Sequence, residues 1–351
     1  YVLVLYRILC ESFQKLPGAV WVLGRPKMWQ IGAYVCLWGV VLGVKWLLLE
    51  KEDEKEGLQK WKSGSITGQA IGLVMICVVS ALFLAPRPLH GLQTTFLDVG
   101  QGDGFFFRTR HGVILLDGGS TDQKKLGQQV LEPYLKSNGI SKVSYAIVSH
   151  GDQDHISGLS YLLESDSGIQ IQNLILPIRR KEDPIYEKLG QQARNAGAKV
   201  FWMKQGDQIS VDGLSLRCLY DGAGTDETER NNHSLLIQAS YGDFGMLLTG
   251  DMSADGELQW LEQKDTLEKP VQILKIAHHG SGYSSTESFL KEVSPKLAVI
   301  SCGEGNRYGH PHVETLERLE KEGIPWVCTR DCGAVLVGIK KRNVQVRTYK
   351  K

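Results

Sequence analysis

His150-Gly151-Asp152-Gln153-Asp154-His155 stands directly after Val143 to Ser149, an apolar run that predicts a buried strand. Several side chains able to bind a metal thus share one tight turn at a strand end. Carboxylates and imidazoles crowded this closely repel one another or compete for protons unless a cation neutralises them, so the turn predicts a metal site. A polar loop in which Asp152 or Asp154 caps a helix over 156–164 would account for one carboxylate. It leaves both histidines and the other carboxylate without a role.

Outward from this turn, short apolar strands alternate with helical segments. Strands are predicted at Thr94 to Val99, Gly104 to Arg108 and Val113 to Leu116, then a helix over Leu126 to Ser137. Asn173 to Leu176 and Lys199 to Trp202 read as strands around a helix over Tyr186 to Asn195. A second set comprises Leu214 to Leu219, Ser234 to Ser240, Phe244 to Thr249, Gln272 to Ile276, Leu297 to Ser301 and a hairpin over Trp326 to Val337. Two strand-rich halves with helices outside predict a four-layer αββα sandwich, with a single mixed sheet as the alternative. Other strand ends also carry ligand types: Asp98 and Asp103 flank a Gly-rich turn, Asp251 follows the run ending at Thr249, and His278-His279 follow the run ending at Ala277.

The composition splits near residue 90. Ile31 to Leu49 is apolar except for Lys45, and Ile66 to Ala85 carries no charge, so each has the length of about twenty residues that spans a bilayer. Residues 1–29 read as an interfacial amphipathic segment broken by Pro17-Gly18 and Arg25-Pro26. The opening Tyr1 leads us to expect the C-terminal piece of a longer multi-pass cell-membrane protein. Lysines 51, 55, 60 and 62 between the spans predict a cytoplasmic side for that connector, which would put everything after residue 86 outside the cytoplasm. A net charge of +1 gives no electrostatic forecast of a nucleic-acid partner. Cys328 and Cys332 flank a turn, a spacing that suits either a disulfide or two reduced thiols.

His150 to His155 resembles the metallo-β-lactamase motif HxHxDH with Asp152 replacing the middle His. With residues 98–103, Asp117-Gly118-Gly119, Asn231 to Leu235, Thr249-Gly250-Asp251, His278 to Ser281 and Tyr308 to His312, it is similar to the C-terminal domain of ComEC, the family of membrane channel proteins of bacterial DNA uptake. The resemblance covers residues 91 to about 340 and implies a membrane-domain end over 1–90 followed by a metallo-β-lactamase-like hydrolase domain over 91–351.

It further implies a two-metal hydrolase. His150 and Asp152 would hold one cation, Asp154 and His155 the other, with Asp251 between them. One of His278 and His279 would complete the second position; we assign the metal to His278 and proton donation to the leaving oxygen to His279, although a one-residue shift at a strand end reverses the choice. Asp154 or Asp251 would orient the attacking water. The superfamily's further histidine falls among Asn231, Asn232 and His233, which leaves the first cation weakly held or missing. On the substrate side stand Asp98, Gln101, Asp103 and Asn232, with Ser281 for a phosphate and Tyr308, His310 and His312 for a base or backbone. An oxygen-rich donor set favours Mn²⁺ or Mg²⁺ without excluding Zn²⁺. The implied partners are incoming DNA, the membrane and other uptake proteins, and the implied activity is that of a nuclease. A DNA-gripping module with a structural ion, and a hydrolase of small esters or phosphodiesters, are the rival readings.

Overall fold

The structure is a computed structural model that describes residues 2–14, 21–53, 74–82, 89–225, 230–263 and 267–350. It divides into two compact units, one of residues 1–87 with 135–140 and the other of 88–134 with 141–351. The first holds α1 (Val2–Gln14), α2 (Met28–Asp53) and α3 (residues 74–82). The expected span 31–49 falls within α2, whose side chains are described to residue 43; the expected span 66–85 is described only over 74–82. Among the described residues no helix is long and apolar enough to cross a membrane.

The second unit is built on two mixed sheets. One runs in the order β17 (Asn343–Thr348), β16 (Val335–Lys340), β1 (Leu92–Phe96), β2 (Phe105–Arg108), β3 (Val113–Leu116), β5 (Tyr145–Ile147), β7 (Asn173–Pro177) and β8 (Lys199–Met203). The other runs β15 (Trp326–Cys328), β14 (Leu297–Ile300), β13 (Ile273–Lys275), β12 (Phe244–Leu248), β11 (Leu236–Tyr241), β10 (Leu214–Tyr220) and β9 (Gln208–Val211). A small pair joins β4 (Lys142–Val143) to β6 (Gln170–Ile171). The remaining helices are α4 (Glu132–Ser137), α5 (Gln153–Glu164), α6 (Pro184–Asn195), α7 (Ala254–Gln263), α8 (Glu287–Val293), α9 (Val313–Lys321) and the single turn α10 (Thr329–Cys332).

Alternation along the strands sorts their side chains. Phe96, Phe105, Phe107 and Ile114 of the first sheet share one buried cluster with Leu216, Ile237, Met246 and Ile273 of the second, so the two sheets enclose a common core. The opposite face of the second sheet, with Leu236, Leu247 and Leu274, packs on Trp260, Phe289 and Leu319 from α7, α8 and α9. The alternative of a single mixed sheet is thereby set aside.

One expectation needs correction, and one open choice is decided. Trp326 to Val337 is not a hairpin, because β15 extends the second sheet in parallel with β14 whereas β16 pairs with β1 in the first. Only α10 lies between them, so the chain crosses from sheet to sheet there. A Cys328–Cys332 bridge is also absent: both are free thiols, and Cys328 Sγ lies 3.2 Å from Cys302 Sγ on the neighbouring strand end.

Strands β3, β5, β7 and β8 run parallel in one sheet and β12 to β15 in the other. The chain leaving β3, β5, β12, β13 and β14 carries Asp117, His150 to His155, Asp251, His278-His279 and Ser301. Ligand types gather because parallel strands present their carboxyl-terminal loops at one end.

Candidate metal centre

The ligand turn is shaped by close backbone approach. A Cβ at Gly119 would lie 2.4 Å from the His155 nitrogen, and one at Gly102 would lie 2.4 Å from the Gly119 oxygen, so the loops after β1, β3 and β5 stack without room for side chains. Asp117 adopts φ 53°, and its carboxylate accepts from the Ser149 amide and hydroxyl, both at 2.7 Å. Asp152 occupies the N-cap position of α5 but makes no capping hydrogen bond. Helix capping therefore does not explain that carboxylate, which lies 3.8 Å from His150 Nε2 and 3.2 Å from Arg230 Nη1.

Three buried imidazoles are oriented in the same way. His155 donates from Nδ1 to Asp117 Oδ2 at 3.0 Å, and His279 donates from Nδ1 to the Ser301 carbonyl at 2.9 Å. His150 Nδ1 lies 3.1 Å from Ser149 Oγ; that hydroxyl gives its proton to Asp117, so His150 is the donor. Each ring thus turns its Nε2 inward, and none of these atoms makes a hydrogen bond. They lie 3.9, 3.3 and 3.3 Å from Asp251 for His150, His155 and His279 respectively. Asp154 is 3.4 Å from His279 Nε2, and Asp154, His155, Asp251 and His279 offer ligand atoms within 4.8 Å of one another. Buried nitrogens left unpartnered beside carboxylates are costly unless a cation takes the space between them and displaces their protons, so this set of side chains fits a divalent metal.

Charge is compensated from below. Lys275 is fully buried, with Nζ 2.5 Å from Asp103 and 3.5 Å from Asp251, and it donates to the Gly250 carbonyl at 2.7 Å. Burial opposes protonation of His279, but Asp251 and Asp103 outweigh it and lift the ring to about 10. For His155 burial again opposes, and Asp251 and Asp117 raise it well above its ordinary value. Burial and the neighbouring His155 push His150 down to about 4. Burial works against ionisation of Asp251, yet His279, His155 and Lys275 hold it well below the usual carboxylate range.

The structure brings together His150, Asp152, Asp154, His155, Asp251 and His279. Asp103 belongs beneath them, tied to Lys275. His278 stands at the rim, its side chain 31% exposed and 3.9 Å from Asp251, so the imidazole facing the cluster is that of His279. Gln101 Nε2 lies 3.4 Å from Nδ1 of His310, whose ring is 5.6 Å from His278 and stacks on Tyr308 at 5.5 Å. Both ring nitrogens of His312 are engaged, with the Gly282 amide and the Tyr308 carbonyl. Ser281 spends its amide on the His278 carbonyl, Asn232 accepts from Ser253, and Asp98 lies 3.6 Å from Lys350. Lys275, the carboxylate role of Asp117, and Arg230 were not singled out by sequence; a lysine ending an apolar strand run was the signal for the first.

The family model described as Metallo-beta-lactamase superfamily matches residues 97–304. ComE operon protein 3 of Bacillus subtilis is 32% identical over 285 residues, covering 77% of this chain and 36% of that protein. Recombination protein 2 of Haemophilus influenzae is 30% identical over 254 residues, 72% of this chain and 29% of that protein. Competence protein ComA of Neisseria gonorrhoeae is 29% identical over 266 residues, 75% and 35% respectively. The chain spans about a third of the length of these curated relatives.

Proposed function

The chain belongs to the metallo-beta-lactamase superfamily and, within it, to the ComEC family of competence proteins, and from that membership we propose a metal-dependent nuclease that hydrolyses incoming DNA during uptake. The observation that carries the reading is the convergence of three buried, unpartnered Nε2 atoms on Asp251.

In this reading Asp154, His155, His279 and Asp251 hold a divalent cation, Mn²⁺ ahead of Mg²⁺ or Zn²⁺ because carboxylate oxygens make up half the set. When bound, such an ion supplies positive charge for a phosphoryl oxygen and makes water a better nucleophile. The chain's residues do the rest. Asp154 and Asp251 orient the attacking water, and Lys275 keeps Asp251 ionised from below. His279 faces the ligands, so the proton donor to the leaving oxygen is His278 at the rim, the reverse of the assignment expected from sequence. Gln101, His310 and Tyr308 form the wall along which the strand lies. The exposed apolar residues of α1, among them Leu3, Tyr6 and Phe13, support membrane association, with the hydrolase unit on the extracytoplasmic side and other uptake proteins as neighbours.

The test is the full chain in detergent, stripped of metal and given labelled single- or double-stranded DNA with Mn²⁺, Mg²⁺ or Zn²⁺, beside Asp154→Ala. We expect metal-dependent cleavage that the variant lacks. Salt-sensitive binding without cleavage under every metal would replace the nuclease with a DNA-gripping module.

A further inference from the structure

The two ligand positions differ in what already occupies their carboxylates. At the second, Asp154, His155, Asp251 and His279 face one another; Lys275 reaches Asp251 only at Oδ1, from beneath at 3.5 Å, and leaves Oδ2 to His279 at 3.3 Å. At the first, His150 Nε2 faces Asp152 and Asp251, but Asp152 is shared: its Oδ1 accepts from Arg230 Nη1 at 3.2 Å while its Oδ2 turns to His150.

Arg230 is fixed from the other side as well. Its Nε lies 3.3 Å from Asp183 Oδ2. Asp183 caps α6 by accepting from the Ile185 amide at 3.0 Å, has a nearly buried side chain, and lies 3.6 Å from Arg180 Nε. The guanidinium is thus bracketed by two carboxylates, one anchored to a helix and one belonging to the ligand turn. It also lines a cleft of about 570 Å³ in which Arg179, Arg180 and Lys181 outnumber Glu182 and Asp183.

We infer that Arg230 takes the place of the first cation: the centre holds one divalent ion, at Asp154, His155, Asp251 and His279, and the guanidinium supplies the second positive charge. A divalent ion on Asp152 would sit against a permanently charged fork, and expelling that fork would break both of its ion pairs. Held where it is, the fork presents N–H donors from the cleft side to a non-bridging oxygen of the phosphodiester beside the scissile bond, a geometry guanidinium suits and a point charge does not. This inference rests on the proposed metal-dependent hydrolysis of DNA, and it assigns to the basic cleft the flanking phosphates.

The experiment counts Mn²⁺ per 351-residue chain in detergent, by elemental analysis after dialysis and by electron paramagnetic resonance. The native chain is expected to hold one ion with an uncoupled spectrum. Arg230→Gln releases Asp152 and is expected to take a second ion, with the spectrum of a coupled pair; Arg230→Lys, which keeps the charge, stays at one. The salt dependence of DNA binding should lose about one phosphate contact in Arg230→Gln. Two coupled ions in the native chain, or a single ion in a folded Arg230→Gln variant, would overturn the inference and leave the hydrolase reading standing. No bound Mn²⁺ in the native chain would overturn the metal-dependent reading and this inference with it.

Discussion

The floor of the centre and its rim are built by opposite means. Asp103, Asp117, Lys275 and Ser149 are buried and joined by ion pairs and hydrogen bonds of 2.5–2.7 Å, so each fixes another. On the rim Arg307 lies over the Tyr308 ring and donates to its hydroxyl at 2.6 Å, Tyr308 stacks on His310, and this hydrogen bond lies at an exposed loop, Tyr308 being 42% exposed. A polar network in low dielectric holds ligands to a narrow geometry and is costly to interrupt, whereas a stacked exposed loop can accept many substrates at little cost.

Lys275→Met is expected to strain this contrast most. It strands the buried charges of Asp103 and Asp251, a loss of about 3–5 kcal/mol that urea denaturation of the metal-free chain would register. A loss under 1 kcal/mol would mean that the floor is not the rigid part.

The two protons held by His155 and His279 give the next test. Both rings are raised, His279 to about 10 from an ordinary 6.5, so the metal-free chain keeps them charged at neutral pH. Their stabilising contribution is complete below about 6.5; that of His279 is lost as pH climbs toward about 10, and that of His155 is lost in the same direction as pH rises through its own raised value. A metal ligand must be neutral, so Mn²⁺ binding expels these protons and its affinity rises with pH, by up to about tenfold per proton per pH unit. Calorimetry in buffers of differing ionisation enthalpy reads the release directly; affinity flat between pH 6 and 8 would contradict it.

Asp117→Asn removes the acceptor that orients His155 and Ser149 and should weaken Mn²⁺ binding about 10–100-fold with little change in fold. Narrowest in scope is Tyr308→Ala, expected to cost about 1 kcal/mol of single-stranded DNA affinity, the low end for a stacked base, while leaving metal binding and melting unchanged. If it instead destabilised the chain, the rim would be part of the scaffold.

The same contrast explains what could be read from sequence. His150 to His155 is a local cluster, so spacing alone exposed it, and the alternation of apolar runs outlined the strands. The choice between His278 and His279 was beyond reach because both adopt positive φ, 50° and 56°, where strand alternation no longer applies. Lys275 reads as the end of an apolar strand, and its role exists only once the loops bearing Asp103 and Asp251 meet it. The segment 326–340 shows strand, turn and strand, a pattern that cannot say whether the second strand returns to the same sheet. β17 is exposed at all six positions, so the alternation of Val344 and Val346 with polar residues marks no buried face.

That crossing has a consequence for synthesis. β1 lies between β2 and β16, so one of the earliest strands of the domain acquires its second neighbour only when Val335–Lys340 is available. A ribosome releasing the chain from its N-terminus has already exposed every ligand of the centre by then, yet the sheet that seats them lacks a strand. Ligand pre-organisation therefore waits for the pairing of β1 with β16, and a nascent chain is without this completed sheet until Val335–Lys340 has emerged.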